Sequence, residues 1–516
     1  MNRFLLAAVA AILPWTSASA EPVPGGRANV VVQPEPPSLM LGLVQNAPAQ
    51  MVAGNIYEGL LRYDSDLQPM PSLAKSWTVS DDGLTYTFNL EEDVKWHDGA
   101  PFSSADVVFS ADVFLRESHP RFRAILEHVA SIEAPDDNTV VFTLKSSFGP
   151  FLNAFEVGSM PIVPKHIYEG TDFQNNPANN TPIGTGPFKL DEWVKGSYIK
   201  LVKNADYWDE GKPYLDEVYW HVIPDAASRA VAFETGQVDI LPGGSIENFD
   251  VPRITALDNT CVTESGWEFF GVQSWLWLNN RDDSPMASKE LRQAVMYAID
   301  RQFIIDALWN GMGSVSNGPF AASTKYRDAS LEPYAYDPEK AKELVAASGY
   351  GGEALDLVPM PYGESWMRLA EVIRQNLSDV GINVNIAATD VAGWNQRLSE
   401  WDFDISPTYL FQYGDPALGV SRVYVSSNIA KGSPFNNVEG YANPEVDKLF
   451  DQGAGTINQD ERTAAYTEVQ KVLYEDVPVA WLMDMSFPTI TRCNVKDLVT
   501  TGIGINDGFK NAYIEK

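Results

Sequence analysis

The segment from residue 354 to residue 410 limits the fold more than any other, because it alternates strand-like and helix-like patterns without a break. The run ALDLVPMP (354 to 361) reads as a strand and ESWMRLAEVIRQNLSDVG (364 to 381) as a helix. INVNIAATD (382 to 390) is again a strand, AGWNQRLSEW (392 to 401) a helix and FDISPTYL (403 to 410) a third strand. A β-α-β-α-β order predicts parallel strands joined by right-handed crossovers. In open sheets of this kind ligands bind beyond the carboxyl ends of the strands. Three loops leave those ends: PYGESW (361 to 366), TDVAGW (389 to 394) and QYGDPAL (412 to 418). They carry Tyr362, Glu364 and Trp366, then Asp390 and Trp394, then Tyr413 and Asp415. A site is expected along that edge.

The first half has a different grammar. TYTFNL (85 to 90), TVVFTL (139 to 144), GTGPFKL (184 to 190) and YLDEVYWHVI (214 to 223) read as strands or turns into strands. SSADVVFSADVFL carries a Ser-x-x-Asp capping signal before helical spacing. Residues 28 to about 270 therefore read as a strand-rich α+β region. After it, ASKELRQAVMYAIDRQFIIDALWNG (287 to 311) predicts one helix with a glycine stop. DPEKAKELVAASG (337 to 349) predicts another, with Asp337 as N-cap, Pro338 at the first position and Gly349 as the stop.

The N-terminal MNRFLLAAVAAILPWTSASA has Arg3, an apolar run from Phe4 to Trp15, and Ala18 and Ala20 at the positions a signal peptidase reads. A secretory signal peptide over residues 1–20 is expected. Glu21, not a cysteine, directly follows the expected cleavage site, so no lipid anchor is indicated and a periplasmic location is expected. The 516-residue length implies several domains, and 45% apolar residues supply their cores. A formal net charge of −32 argues against nucleic acid and anionic membrane as partners, since both need a basic footprint.

Enzyme chemistry is not written in the chain. It has no HExxH and no GxSxG, and GTGPF lacks the Lys-Ser/Thr of a phosphate loop. The five histidines (His97, His119, His128, His166 and His221) show no ligand spacing, so neither a metal nor another cofactor is expected. An exported hydrolase with paired carboxylates is the alternative of another class. The cysteines are Cys261 and Cys493, whose separation excludes a CxxC site.

The stretch NIYEGLLRYDSDLQPMPSLAKSWTVSDDGLTYTFNLEEDVKWHDGAPFSSADVVFSADVFL (55 to 115) resembles the family 5 periplasmic solute-binding proteins of ABC importers, the dipeptide, oligopeptide, nickel and opine binders. PIGTGPFKLDEW, KNADYWDEGKPYLDEV, LRQAVMYAIDR and YDPEKAKELVAASGY continue the match along the chain. The resemblance implies an α/β, two-lobe periplasmic-binding-protein fold, hinged, with an extra subdomain inserted in lobe I. Lobe I is expected over residues 21–270 plus 485–516, with the insertion at about 60–180, and lobe II over 271–484. The connecting strands are expected near 269 to 280 and 478 to 489. Cys261 and Cys493 then share a lobe, each near a crossover, and either a disulfide or two free thiols fits the sequence. The implied function is to capture a short peptide or amino-acid-derived solute and deliver it to the permease and ATPase subunits at the inner membrane. The protein is expected to act as a monomer, without catalysis. An opine or oligosaccharide ligand is the alternative within the same role.

Peptide-binding relatives hold the ligand's α-ammonium with an aspartate four residues before the proline of the QYGDPAL turn. Here that position is Gln412, while Asp415 directly precedes Pro416. The loop at Pro361–Trp366 also lacks the arginine that some dipeptide binders use, and residues 271–484 contain no histidine for nickel. The expected ligand-binding set is Gln412, Tyr413, Gly414, Asp415, Tyr362, Glu364, Trp366, Trp394 and Glu35. For a peptide ligand, Asp415 or Glu364 is expected to meet the ammonium; for an opine or oligosaccharide, Tyr362, Trp366, Trp394 and Tyr413 are expected to stack and Gln412 to hydrogen-bond hydroxyls.

Overall fold

A computed structural model describes residues 22–516. The expected signal peptide lies outside the described residues.

RANVVV (Arg27–Val32) sits inside a seven-stranded mixed sheet, parallel to both neighbours, Glu217–Val222 and Ile240–Leu241. Its valines are buried on both faces. Val30 and Val32 enter the main core, and Val31 meets Ala230 and Phe233 of the helix Ala226–Glu234. A strand covered on both sides reads as a continuous apolar run rather than an alternation. The hairpin Phe188–Val194 and Tyr198–Lys203 extends one end of the sheet. Thr489–Arg492 and Thr260–Thr263 complete the other.

A four-stranded antiparallel sheet is inserted into this lobe: Ala74–Val79, Thr85–Leu90, Thr139–Leu144 and Val129–Asp136, in that spatial order. TYTFNL and TVVFTL show the period of two expected of half-buried strands, burying Tyr86, Phe88 and Leu90 beside Val140, Phe142 and Leu144. Phe88, Phe142, Phe151 and Phe155 form one aromatic cluster beneath them. The Ser103–Asp106 cap is present, with the Asp106 carboxylate accepting from Ser103 N at 2.9 Å.

The second lobe is built on a six-stranded sheet. Its order is Gly313–Val315, Val479–Met485, Gln273–Leu278, Ile405–Leu410, Leu355–Leu357 and Val384–Ile386. Leu355–Leu357 lies between the other two strands of the β-α-β-α-β unit and is parallel to both. The helices Glu364–Asp379 and Val391–Glu400 make the crossovers. Asp337 caps the helix Pro338–Ala347 by accepting from Lys340 N. The single helix expected over 287 to 311 is two helices, Lys289–Ala298 and Arg301–Leu308. Asp300 breaks it by capping the second, accepting from Phe303 N, while its own N–H donates to Asn376 Oδ1.

The chain passes between lobes through residues 264–272 and 486–488, which link strands of the two sheets. Cys261 and Cys493 are disulfide-bonded on the first-lobe side of these passages, with Cα atoms 5.0 Å apart. No helix among the described residues is long and apolar enough to cross a membrane.

Candidate functional site

The loop after Ile405–Leu410 reaches the first lobe. Tyr413 (φ +52°) and Gly414 (φ +72°) both lie in the left-handed region, which turns the chain sharply between Gln412 and Asp415. A Cβ on Gly414 would crowd Leu67, so glycine permits both the conformation and the close approach.

The two polar residues flanking this turn point into the second lobe. Gln412 is 2% exposed. Its Oε1 accepts from Ala321 N at 2.8 Å and from Thr324 Oγ1, and its Nε2 donates to Pro319 O and Gln273 Oε1. Asp415 is fully buried. Both of its oxygens accept from Nη2 of Arg462, at 2.9 and 2.8 Å, and Oδ1 also accepts from Ala417 N. Burial pulls the Arg462 guanidinium down, but the Asp415 carboxylate and the Tyr466 and Tyr326 rings outweigh it and hold it above its ordinary range. The expectation that Asp415 receives a ligand's ammonium is therefore corrected. Its charge is spent inside the lobe, where an unpaired partner would be costly.

The other two loops hold mostly structural side chains. Trp394 is fully buried and donates to Ser406 Oγ. Trp366 is buried, stacks on Tyr409 and meets Trp309 edge-on. Neither lines the interlobe cleft, so the expectation that they stack on a ligand is also corrected: burying these large rings supplies core area. Asp390 is a helix cap, accepting from Gly393 N. Glu364 pairs with Arg368 one turn along its own helix. Tyr362 is exposed and packs on Trp394. Glu35 accepts from Trp193 Nε1 and Gly196 N, tying the N-terminal segment to a hairpin of the first lobe.

Tyr413 is the residue of the expected set that faces a cavity of about 950 Å³ between the lobes. The first lobe contributes Gln45, Arg121, His128 and Phe148. The second contributes Tyr413, Ser421, Arg422 and Asn428, and Asp447, Phe450 and Asp451 of the helix Pro444–Ala454. Phe148 stacks on His128 at 4.0 Å between ring centroids, and burial lowers the His128 pKa. Asp447 accepts from Ser426 N at 2.8 Å and from its hydroxyl. Arg121 and Arg422 both lie over the Tyr413 ring, 4.2 and 5.6 Å from its centroid. The cleft thus combines guanidinium, carboxylate and aromatic groups from both lobes. Sequence reasoning missed both arginines. Arg422 lies just past the turn, but Arg121 is some 300 positions away and only folding brings it there.

The comparisons agree with this architecture. The family description "Bacterial extracellular solute-binding proteins, family 5 Middle" matches residues 68–431. The glutathione-binding protein GsiB of Escherichia coli is 28% identical over 459 residues, covering 83% of this chain and 83% of that protein. DppA of Helicobacter pylori, solved in complex with the peptide STSA, superposes with a TM-score of 0.82 at 28% identity, over 96% of this chain and 99% of that one. AgaA of A. tumefaciens R10, solved with agropinic acid, gives 0.81 at 27% identity, over 95% and 99%. Two sheet-centred lobes, an inserted subdomain and a polar cleft between the lobes coincide with a family match over most of the chain, and the protein belongs to the family 5 bacterial extracellular solute-binding proteins of ABC importers.

Proposed function

We propose that this protein captures a short peptide or a related amino-acid-derived zwitterion between its lobes and delivers it to the permease of its importer. On this reading it is exported to the periplasm after loss of residues 1–20, carries no lipid anchor, acts as a monomer and catalyses no reaction. Lobe I spans 21–270 with 485–516, and lobe II spans 271–484. The observation that supports it most is the composition of the cleft. A cavity of about 950 Å³ is lined by Arg121 and Arg422 as well as by Asp447 and Asp451, so both charges of a zwitterion find a counterpart. Its size is at the upper end of small-molecule sites, roughly 300 to 1,000 Å³. Ligand contacts made by both lobes favour the closed form over the open one.

A second ligand class, opines, is favoured by the same two guanidinium groups, and AgaA was solved with agropinic acid. An oligosaccharide has less support, because Trp366 and Trp394 are buried. Thermal-shift measurements on purified protein against short peptides, opines and neutral oligosaccharides separate these readings. A ligand at 100 times its dissociation constant stabilises by about 2.7 kcal/mol. Peptides are expected to raise Tm; a rise with neutral oligosaccharides alone would overturn the proposal.

A further inference from the structure

Arg121 and Arg422 come from different lobes and meet over one ring. Arg121 starts from the inserted subdomain, where its Nη2 donates to Gly158 O and Ser159 Oγ. Its Nε is buried with no hydrogen-bond partner among the described residues. The nearest carboxylate, Glu156, stands at 3.7 Å and also accepts from Gly158 N and Ser159 Oγ. Arg422 donates only to carbonyls, from Nε to Gly419 O and from Nη2 to Phe411 O. Among the described residues it has no ion-pair partner, in a chain with 69 acidic residues. Burial lowers its pKa, and the like charge of Arg121 adds to the effect, yet a guanidinium stays protonated at any ordinary pH.

Both guanidinium groups lie over one ring in the cleft, and each arginine is half-buried there. A ring face attracts a cation but carries no net charge, so it does not replace a counter-ion. Glu156 pairs with Arg121 at 3.7 Å, while Arg422 has no ion pair among the described residues although Asp447 and Asp451 line the same cleft; a poorly hydrated charge without a partner is costly. The planar fork of arginine matches a carboxylate in two-point geometry.

We infer that Arg121 and Arg422, placed over Tyr413, form a subsite that grips a carboxylate of the ligand from both lobes at once, so that the anion itself latches the closed form. This rests on the cleft being the ligand site, as proposed above. It puts the recognition of the ligand's acid end in the wall formed by residues 121, 413 and 422 rather than in the loop at Pro361–Trp366.

The test uses the full-length mature protein and two probes, a tripeptide library with free C-terminal carboxylates and the same library as C-terminal amides, read by native mass spectrometry and calorimetry. The wild type is expected to prefer the acids by about 30-fold or more, the scale for losing one partner of a buried charge pair. Arg422→Gln and Arg121→Gln should each collapse that ratio towards one, and Arg422→Lys should retain part of it. Unliganded melting temperatures show whether each variant is folded. Equal binding of acids and amides by the wild type, or an undiminished ratio in folded variants, overturns the subsite while leaving the cleft reading intact. No binding of either library overturns the peptide reading and this subsite with it.

Discussion

Asp415 shows how one residue's role is decided by its neighbours. An aspartate before a proline at the end of a strand suits either a turn or a ligand, and its place beside the cleft fits both. The buried Arg462 pairs with both of its oxygens, and the cap on Ala417 N uses one of them again. Asp415→Asn is therefore expected to destabilise the fold by about 3 to 5 kcal/mol, the cost of breaking a buried pair from one side. Chemical denaturation would measure it. Cationic and neutral ligands should lose affinity alike, and a selective loss for cationic ligands with unchanged stability would return Asp415 to the ligand. Gln412 teaches the same lesson: an amide with four partners inside the lobe anchors the loop from behind.

Among the elements, the strand Val479–Met485 is the most informative, because it carries the chain towards its return passage between the lobes. It bears the buried Asp484, which accepts from Gln273 Nε2 on the neighbouring strand and from Ala322 N. Burial pushes the Asp484 carboxyl up from 3.8 to about 6, against these hydrogen bonds and the charge of Arg327. The folded chain thus holds this proton more tightly than the unfolded chain does. Its contribution to stability is complete below pH 3.8 and is lost as the pH rises through 6. The stability difference between wild type and Asp484→Asn should fall across that window by on the order of 2 to 3 kcal/mol. Parallel denaturant titrations from pH 4 to 7 test this, and profiles of identical shape would refute it.

For the whole molecule, function depends on how the lobes meet. The disulfide joins positions 232 apart in sequence and closes a loop that contains the second lobe, so the lobe is tied at its base. The lobes also touch at Gly149, whose N–H donates to Ala454 O at 2.7 Å. A Cβ there would collide with Thr456 O and crowd the Arg462 guanidinium. Gly149→Ala should therefore disfavour the closed form. About a tenfold loss in affinity for the wild-type ligand corresponds to 1.4 kcal/mol against closure. Small-angle scattering with ligand should show a larger radius of gyration than the wild type. Scattering and affinity that both match the wild type would show that closure does not need this contact.

Much of the fold was legible because it rests on local rules. The parallel strands at 355–357, 384–386 and 405–410 followed from alternation of strand and helix, and the caps at Ser103 and Asp337 from residue type and spacing. The break at Asp300 was not, since a helix former and a cap look alike until Asn376 arrives to take the Asp300 N–H. The turn at Tyr413–Gly414 could be placed beyond the carboxyl end of its strand from the sequence alone. Which of its side chains face the cleft could not, because that depends on partners distant in the chain. Burial of Gln412 and Asp415 needs Gln273, Thr324 and Arg462, and the arginine pair over Tyr413 needs two lobes. The sequence by itself determined the family and most of the elements and their order, through periodicity, capping and motif spacing. Tertiary structure alone decided which charges are spent on the protein and which remain for a ligand, because a charge is free only when nothing folded against it has answered it.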